Sequence, residues 1–149
     1  MAEQVIIPQD RGIVDSGFSE LRVDGDLVFA RSCGPTTLDD MKLMYELNTA
    51  VFDQYGYVLV LIDCRLSTTT TPEARKYQSE RLKVRIIPSH TALYGAGIVT
   101  RTTVMLMVRA TELLTGKTYP VEMVSDEEAA RKILGAARER FRQQGFAKQ

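Results

Sequence analysis

A chain of 149 residues with 44% hydrophobic and 26% charged side chains can bury one core without disulfides or metal, so a single globular domain is expected. Its 19 basic residues balance 19 acidic ones, which disfavours nucleic acid as a partner, because binding a polyanion needs a basic excess. No stretch approaches the roughly 20 apolar residues of a membrane span, and the first residues lack the basic and long apolar regions of a leader. A cytoplasmic protein with no transmembrane segment is therefore expected.

Residues 1–17 carry Pro8, Gly12 and Gly17 with no sustained period and read as an N-terminal arm ahead of a domain over residues 18–146. Phe18, Leu21 and Val23 alternate up to Asp24-Gly25-Asp26, and Leu27 to Ala30 resume the pattern. Asp-Gly between two β-prone runs predicts an antiparallel hairpin. Gly34-Pro35 is expected to break the second strand. Thr36 or Thr37 then caps a first helix whose opening turn carries Asp39 and Asp40, where negative charge suits the helix dipole. Leu38, Met41, Met44, Tyr45, Val51, Phe52 and Tyr55 recur at three and four residues along it, and Gly56 ends it.

Tyr57 to Ile62 is apolar at every position, which predicts a central strand covered by helices on both faces. Ser67, Thr68, Thr69 and Thr70 read as a loop leading to Thr71 as N-cap; Pro72 has its φ preset for a first helical position, so a second helix is predicted over 72–84. Its charges are mostly basic. After Pro88, His90 to Tyr94 gives a fourth strand, and residues 101–114 a third helix ended by Gly116. Tyr119 to Val124 gives a fifth strand, and Ser125-Asp126-Glu127-Glu128 matches a capping box at the head of a last helix over 126–144. The order is β-β-α-β-α-β-α-β-α, an α/β single domain with a mixed central sheet flanked by helices and right-handed crossovers between its parallel strands.

The paired strands in LRVDGDLVFARSCGPTTLDDMKLMYEL, the segment YGYVLVLIDCR ahead of a hydroxyl-rich turn and helix, and the closing EMVSDEEAARKIL resemble the STAS superfamily, in particular its SpoIIAA-like, STAS/SEC14-type bacterial group. The resemblance implies a STAS/SpoIIAA-like fold and a non-enzymatic regulatory module similar to anti-sigma factor antagonists. Such proteins are phosphorylated on a serine or threonine at the start of the helix after the third strand, and bind a kinase or sigma regulator there. The matching region here is Ser67 to Glu73, with Thr70-Thr71-Pro72-Glu73 in place of an Asp-Ser-Ser-Gly type turn. On this reading Thr70 and Thr71 are the regulated hydroxyls, Ser67, Thr68, Thr69 and Glu73 belong to the partner contact, and Arg75 and Lys76 support a phosphate. The SEC14-like side of the resemblance implies instead a carrier-like module for a lipid or other apolar molecule.

A phosphate on Thr70 or Thr71 would sit at a helix N-terminus, which attracts anions through its free N–H groups and dipole. The plainer alternative is that Thr71 only caps the helix, an effect of about 1 kcal/mol. Asp63, Cys64 and Arg65 end the apolar strand, where α/β folds place binding groups; without a second carboxylate beside it in sequence, Asp63 reads as structural. Cys64 with His90 as nucleophile and base is disfavoured, since a lone histidine after a proline turn usually has a structural partner. Cys33 and Cys64 lack metal-ligand spacing and read as buried free thiols, and no metal or cofactor is expected. Val104, Met105, Leu106 and Val108 project all round the third helix, next to Tyr94 of the fourth strand. One side of that helix needs a second cover, either a homodimer face or the wall of an apolar pocket.

Overall fold

A computed structural model describes residues 18–85, 87–118 and 120–145. The expected arm over residues 1–17 lies outside the described residues, as do Tyr119, expected to open the fifth strand, and residue 146, the expected end of the domain. The described elements are β1 (Phe18–Asp24), β2 (Leu27–Thr36), α1 (Leu38–Tyr55), β3 (Val58–Thr70), α2 (Pro72–Val84), β4 (Ser89–Tyr94), α3 (Ile98–Thr115), β5 (Val121–Val124) and α4 (Glu127–Gln143). This is the α/β order expected from the sequence.

β1 and β2 form the hairpin, with Asp24 opposite Leu27 across the turn. Gly25 has φ +60°, the positive value that a type II′ turn requires at its first central residue and that glycine adopts without strain. The other strands are parallel, and the sheet order is β1-β2-β3-β4-β5. Each parallel crossover steps to the next strand in the same direction, so right-handed connections lay their helices on one face. α1, α2 and α3 share that face, and α4 covers the other.

β3 is the spine of the molecule. Leu59 and Leu61 point toward α4 and pack with Phe29, Ala130, Leu134 and Ala137, whereas Val58 and Val60 point toward α1 and pack with Val28, Ala30, Met44 and Val51. Both sets are buried, which is why the strand reads as an unbroken apolar run. Each large side chain so buried stabilises the fold by roughly 1.5–3 kcal/mol. On the α4 side the ring of Tyr57 stacks on Phe141 at 4.8 Å between centroids. The Tyr57 hydroxyl donates to Asp26 at 2.6 Å, and Arg138 grips the same carboxylate with two bonds of 2.8 Å, tying the hairpin turn to the last helix. Burial works to raise the Asp26 pKa, but the bonds from Arg138 and Tyr57 outweigh it and leave the group below its usual value.

Several boundaries differ from the sequence expectation. β2 does not break at Gly34-Pro35 but runs on to Thr36, paired with Thr70. The described pairing with β1 ends at Ser32, so the N–H that Pro35 lacks is not required on that side. Ser67 to Thr70 are not a loop; β3 carries them as strand residues. Two steps of β2, from Arg31 to Cys33, span three of β3, from Asp63 to Leu66, and the same mismatch recurs between Gly34 and Thr36. These are β-bulges that bend the end of β3 and re-aim its side chains. α3 opens at Ile98 behind Gly97, with no side-chain cap. The cap of α4 is Asp126, which accepts from the Ala129 N–H at 2.8 Å, and not Ser125.

Candidate functional site

α2 reads PEARKYQSERLKV and buries only Ala74. It packs on α1 and α3 and hardly on the sheet, since a helix this polar has no apolar stripe with which to cover the strands beneath it. What remains under it is a cavity of about 230 Å³. Val58, Val60 and Ile62 of β3 with Thr91 and Leu93 of β4 form its floor. Met41, Met44 and Asn48 of α1 and Val104, Met107 and Val108 of α3 form its walls, and Tyr77, Gln78 and Leu82 of α2 its roof.

The lining surface is mostly apolar, with polar side chains set into it at distinct points. Ser32 Oγ, Asn48 Oδ1 and Gln78 Oε1 are shut off from solvent and have no hydrogen-bond partner among the described residues. Buried polar atoms nearly always have a partner, so three unsatisfied ones on residues around a single space set this lining apart from the rest of the core. Among the described residues the charged lining consists of Arg81 and Arg85, with no carboxylate. The Arg81 guanidinium carbon lies 5.8 Å from the Tyr45 ring centre and 5.6 Å from that of Tyr77, and the two rings meet edge to face at 6.3 Å. Arg85 lies 5.0 Å from the Phe52 ring.

The hydroxyl segment borders the same cavity. Ser67 and Thr70 line it, while Thr68 and Thr69 are exposed. Thr71 is the N-cap of α2, its hydroxyl accepting from the Ala74 N–H at 3.2 Å, with Pro72 in the first turn. The Thr71 N–H in turn donates to the Thr36 carbonyl at 2.9 Å, which joins the head of α2 to the end of β2. Arg75 does not stand free above this turn; it donates to the Thr70 carbonyl at 3.1 Å. Glu73 and Lys76 are exposed. The Thr100 hydroxyl donates to the Thr68 carbonyl at 3.0 Å and so fixes the head of α3 to the bulged end of β3.

Asp63 and Cys64 are neighbours on β3 and face opposite sides of the sheet. Asp63 is 2% exposed and accepts from Arg65 at 3.1, 3.0 and 2.7 Å and from Arg31 at 3.3 Å. The Arg65 bonds hold its carboxyl at about 2, against an opposing effect of burial. Arg65 lies over the ring of Tyr94, which donates to Glu127 at 3.3 Å; burial, then the charges of Asp63 and Glu127, push the Tyr94 hydroxyl up to about 12. A Cβ on Gly95, at φ +75°, would lie 2.4 Å from the Arg65 side chain, so this corner needs a glycine there. Cys64 lines the cavity instead, and burial pushes its thiol up to about 12. His90 bonds Glu122 at 2.5 Å and lies beside Arg140, on the α4 side.

The structure therefore does not bring Asp63, Cys64 and His90 together. Cys64 faces away from the other two, and His90 pairs in register with Leu59, four residues before Asp63. Nor do the five residues expected on a pocket or dimer face share one surface. Val104 and Val108 line the cavity, Met105 and Leu106 turn outward at 48% and 64% exposed, and Tyr94 sits on the far side of the sheet. Cys64 is buried as expected, Cys33 only partly. Among the described residues no cluster of His, Cys, Asp and Glu is placed to hold a metal ion, and no helix is long and apolar enough to cross a membrane. Sequence reasoning missed Asn48 and Gln78, and read Arg81 and Arg85 only as part of the mostly basic charge of the second helix. A signal for Asn48 was present: it occupies the place in the stripe between Tyr45 and Val51 where an apolar residue was due.

No family model matches the sequence, and no curated protein does so. Among solved structures, the chain is similar to the anti-sigma factor antagonist SpoIIAA in its unphosphorylated form, at 12% identity and a TM-score of 0.47, over 91% of this chain and 98% of that one. It is also similar to an uncharacterised DUF3478-family protein with a SpoIIAA-like fold from Shewanella loihica, at 17% identity and a TM-score of 0.47, over 89% of this chain and 92% of that one. Both are likenesses of fold.

Proposed function

We propose that this chain is a non-enzymatic binding module that holds a small apolar molecule between the sheet and α1, α2 and α3. The cavity carries this reading, because a concave apolar space with a few fixed polar groups is the usual form of a small-molecule site. Its size sets a scale. An aliphatic cavity of about 150 Å³ accepts benzene, so by proportion this one takes a group of about nine carbon atoms. Catalysis finds little support, since Asp63 is saturated by arginines and the Cys64 thiol is held in its protonated form. Two free cysteines are in keeping with the reducing, cytoplasmic setting expected from the sequence.

Titration with decanol, followed by calorimetry and by thermal unfolding, tests the reading. Saturable binding with a rise in Tm is expected, because a ligand that binds only the folded state stabilises it. No heat and no shift up to the solubility limit would sink the proposal.

A second reading, a regulatory module acting through protein contacts, has its own support in exposed groups. Thr68 and Thr69 are accessible to a kinase, and Val99, Leu106 and Leu113 form an outward apolar stripe on α3 at 63%, 64% and 87% exposed. Intact-mass measurement of the protein from its own cells, with pull-downs using Thr68→Ala/Thr69→Ala and Thr70→Ala/Thr71→Ala variants, tests it. An unphosphorylated protein whose partners ignore both variants rules out the switch.

A further inference from the structure

We infer that the molecule held in this cavity is an acidic amphiphile: its apolar chain lies beneath α2, and its anionic head rests at the mouth on Arg81 and Arg85. The inference rests on the cavity being a binding site and adds the charge of what binds there.

The pattern of charge in the lining carries it. Among the described residues, Arg81 and Arg85 are the charged side chains there, and every other lining side chain is neutral. Elsewhere in the protein Arg22, Arg31, Arg65, Arg131 and Arg138 each hold a carboxylate. Arg81 and Arg85 have no carboxylate partner among the described residues, and lie instead against aromatic rings, Tyr45 and Tyr77 for the first and Phe52 for the second. A ring face orients a guanidinium without consuming its N–H donors. Those donors form a planar fork that suits two oxygens of one anion.

The apolar floor and walls then determine the rest of the ligand. A cationic amphiphile would bring its charge to two positive side chains with no counter-charge in the described lining, and a neutral one gains from them an ordinary hydrogen bond and no charge pairing. An anion on a chain of about nine carbons satisfies both parts of the site, chain below and head at the rim.

The test uses the full chain at neutral pH and three probes of equal chain length: decanoate, decanol and decyltrimethylammonium, titrated calorimetrically against wild type and an Arg81→Gln/Arg85→Gln variant. Both arginines are exposed, so the variant keeps its fold, which a thermal melt verifies. Decanoate is expected to bind wild type about tenfold more tightly than decanol, the effect of a charge-assisted hydrogen bond at a partly wet site, with the ammonium weakest. In the variant decanoate falls to the level of decanol measured in that same variant. Equal affinities for decanoate and decanol in wild type, or a preference that survives both substitutions, overturns the acidic head and leaves the cavity reading standing. Failure of all three probes to bind overturns both.

Discussion

Replacing Val104 by Phe tests the space beneath α2 directly. Val104 projects from the inner side of α3 into the cavity. The larger side chain adds about four carbons, and at about 0.8 kcal/mol per buried CH₂ full burial would stabilise by about 3 kcal/mol. Imperfect fit and lost rotamer freedom reduce that to about 1–2 kcal/mol. For a chain of this size each kcal/mol moves Tm by about 2–4 °C, so a rise of about 2–8 °C is expected. In a filled core the same substitution costs about 1–3 kcal/mol in displaced neighbours. The sign of the shift therefore reports whether the space is empty. Circular dichroism melts of wild type and variant, run beside a decanol titration, read both quantities. A higher Tm with decanol affinity reduced at least tenfold is the expected result. A lower Tm with decanol binding retained refutes the reasoning, because the cavity would then be neither empty at Val104 nor the place where the probe sits.

Asp26→Ala removes the shared acceptor of Tyr57 and Arg138; with Arg138 a third exposed, the loss is expected at about 2–3 kcal/mol, read as a lower urea midpoint, whereas a change below about 0.5 kcal/mol would show that the turn is held by packing alone. Asp63, at about 2 when folded against 3.8 ordinarily, binds fewer protons in the folded than in the unfolded state between those values. Its contribution is thus complete above about pH 4 and disappears as pH falls toward 2; a pH series of urea melts should show this acid limb, and Asp63→Asn should flatten it. Cys64, with its thiol pushed up to about 12 and 2% exposed, should resist a thiol reagent at mildly alkaline pH until the protein is unfolded, while the half-buried Cys33 reacts first. Two equally fast thiols in the native protein would contradict that burial.

Local chemistry in the sequence went a long way toward the fold. Asp24-Gly25 announced the hairpin, Thr71-Pro72 the head of α2, and the run from Tyr57 to Ile62 a strand buried on both faces. Each of these is decided by residues within a few positions of one another. The bulged end of β3 was not legible, because serine and threonine suit a strand as well as a loop, and pairing with β2 decides between them. The cavity was not legible either. It depends on α2 riding across α1 and α3, a tertiary relation, and its polar points Ser32, Asn48 and Gln78 come from three separate elements. The apolar run in α3 was read as projecting all round the helix, with one side in need of a second cover. In the structure it divides, Val104, Met107 and Val108 turning inward and Met105 and Leu106 outward.

The two faces of the sheet are built on different terms, and this difference argues for where function resides. On the α4 face the close-packed side chains of Leu59, Leu61, Leu134 and Tyr57 are locked at the rim by Asp26–Arg138 and Asp63–Arg65, so the buried carboxylates there are paired. A sheet of five strands needs one such face for its stability. On the other face three crossover helices compete for the same strands, and the middle one, polar and lifted, leaves a mostly apolar space whose lining includes Arg81 and Arg85, neither with a carboxylate partner among the described residues. Packing alone would favour an apolar α2 that sank onto Val60 and Ile62. The sequence instead supplies Tyr77, Gln78, Arg81 and Arg85 around the cavity, a choice that gives up packing stability and agrees with the proposed binding role.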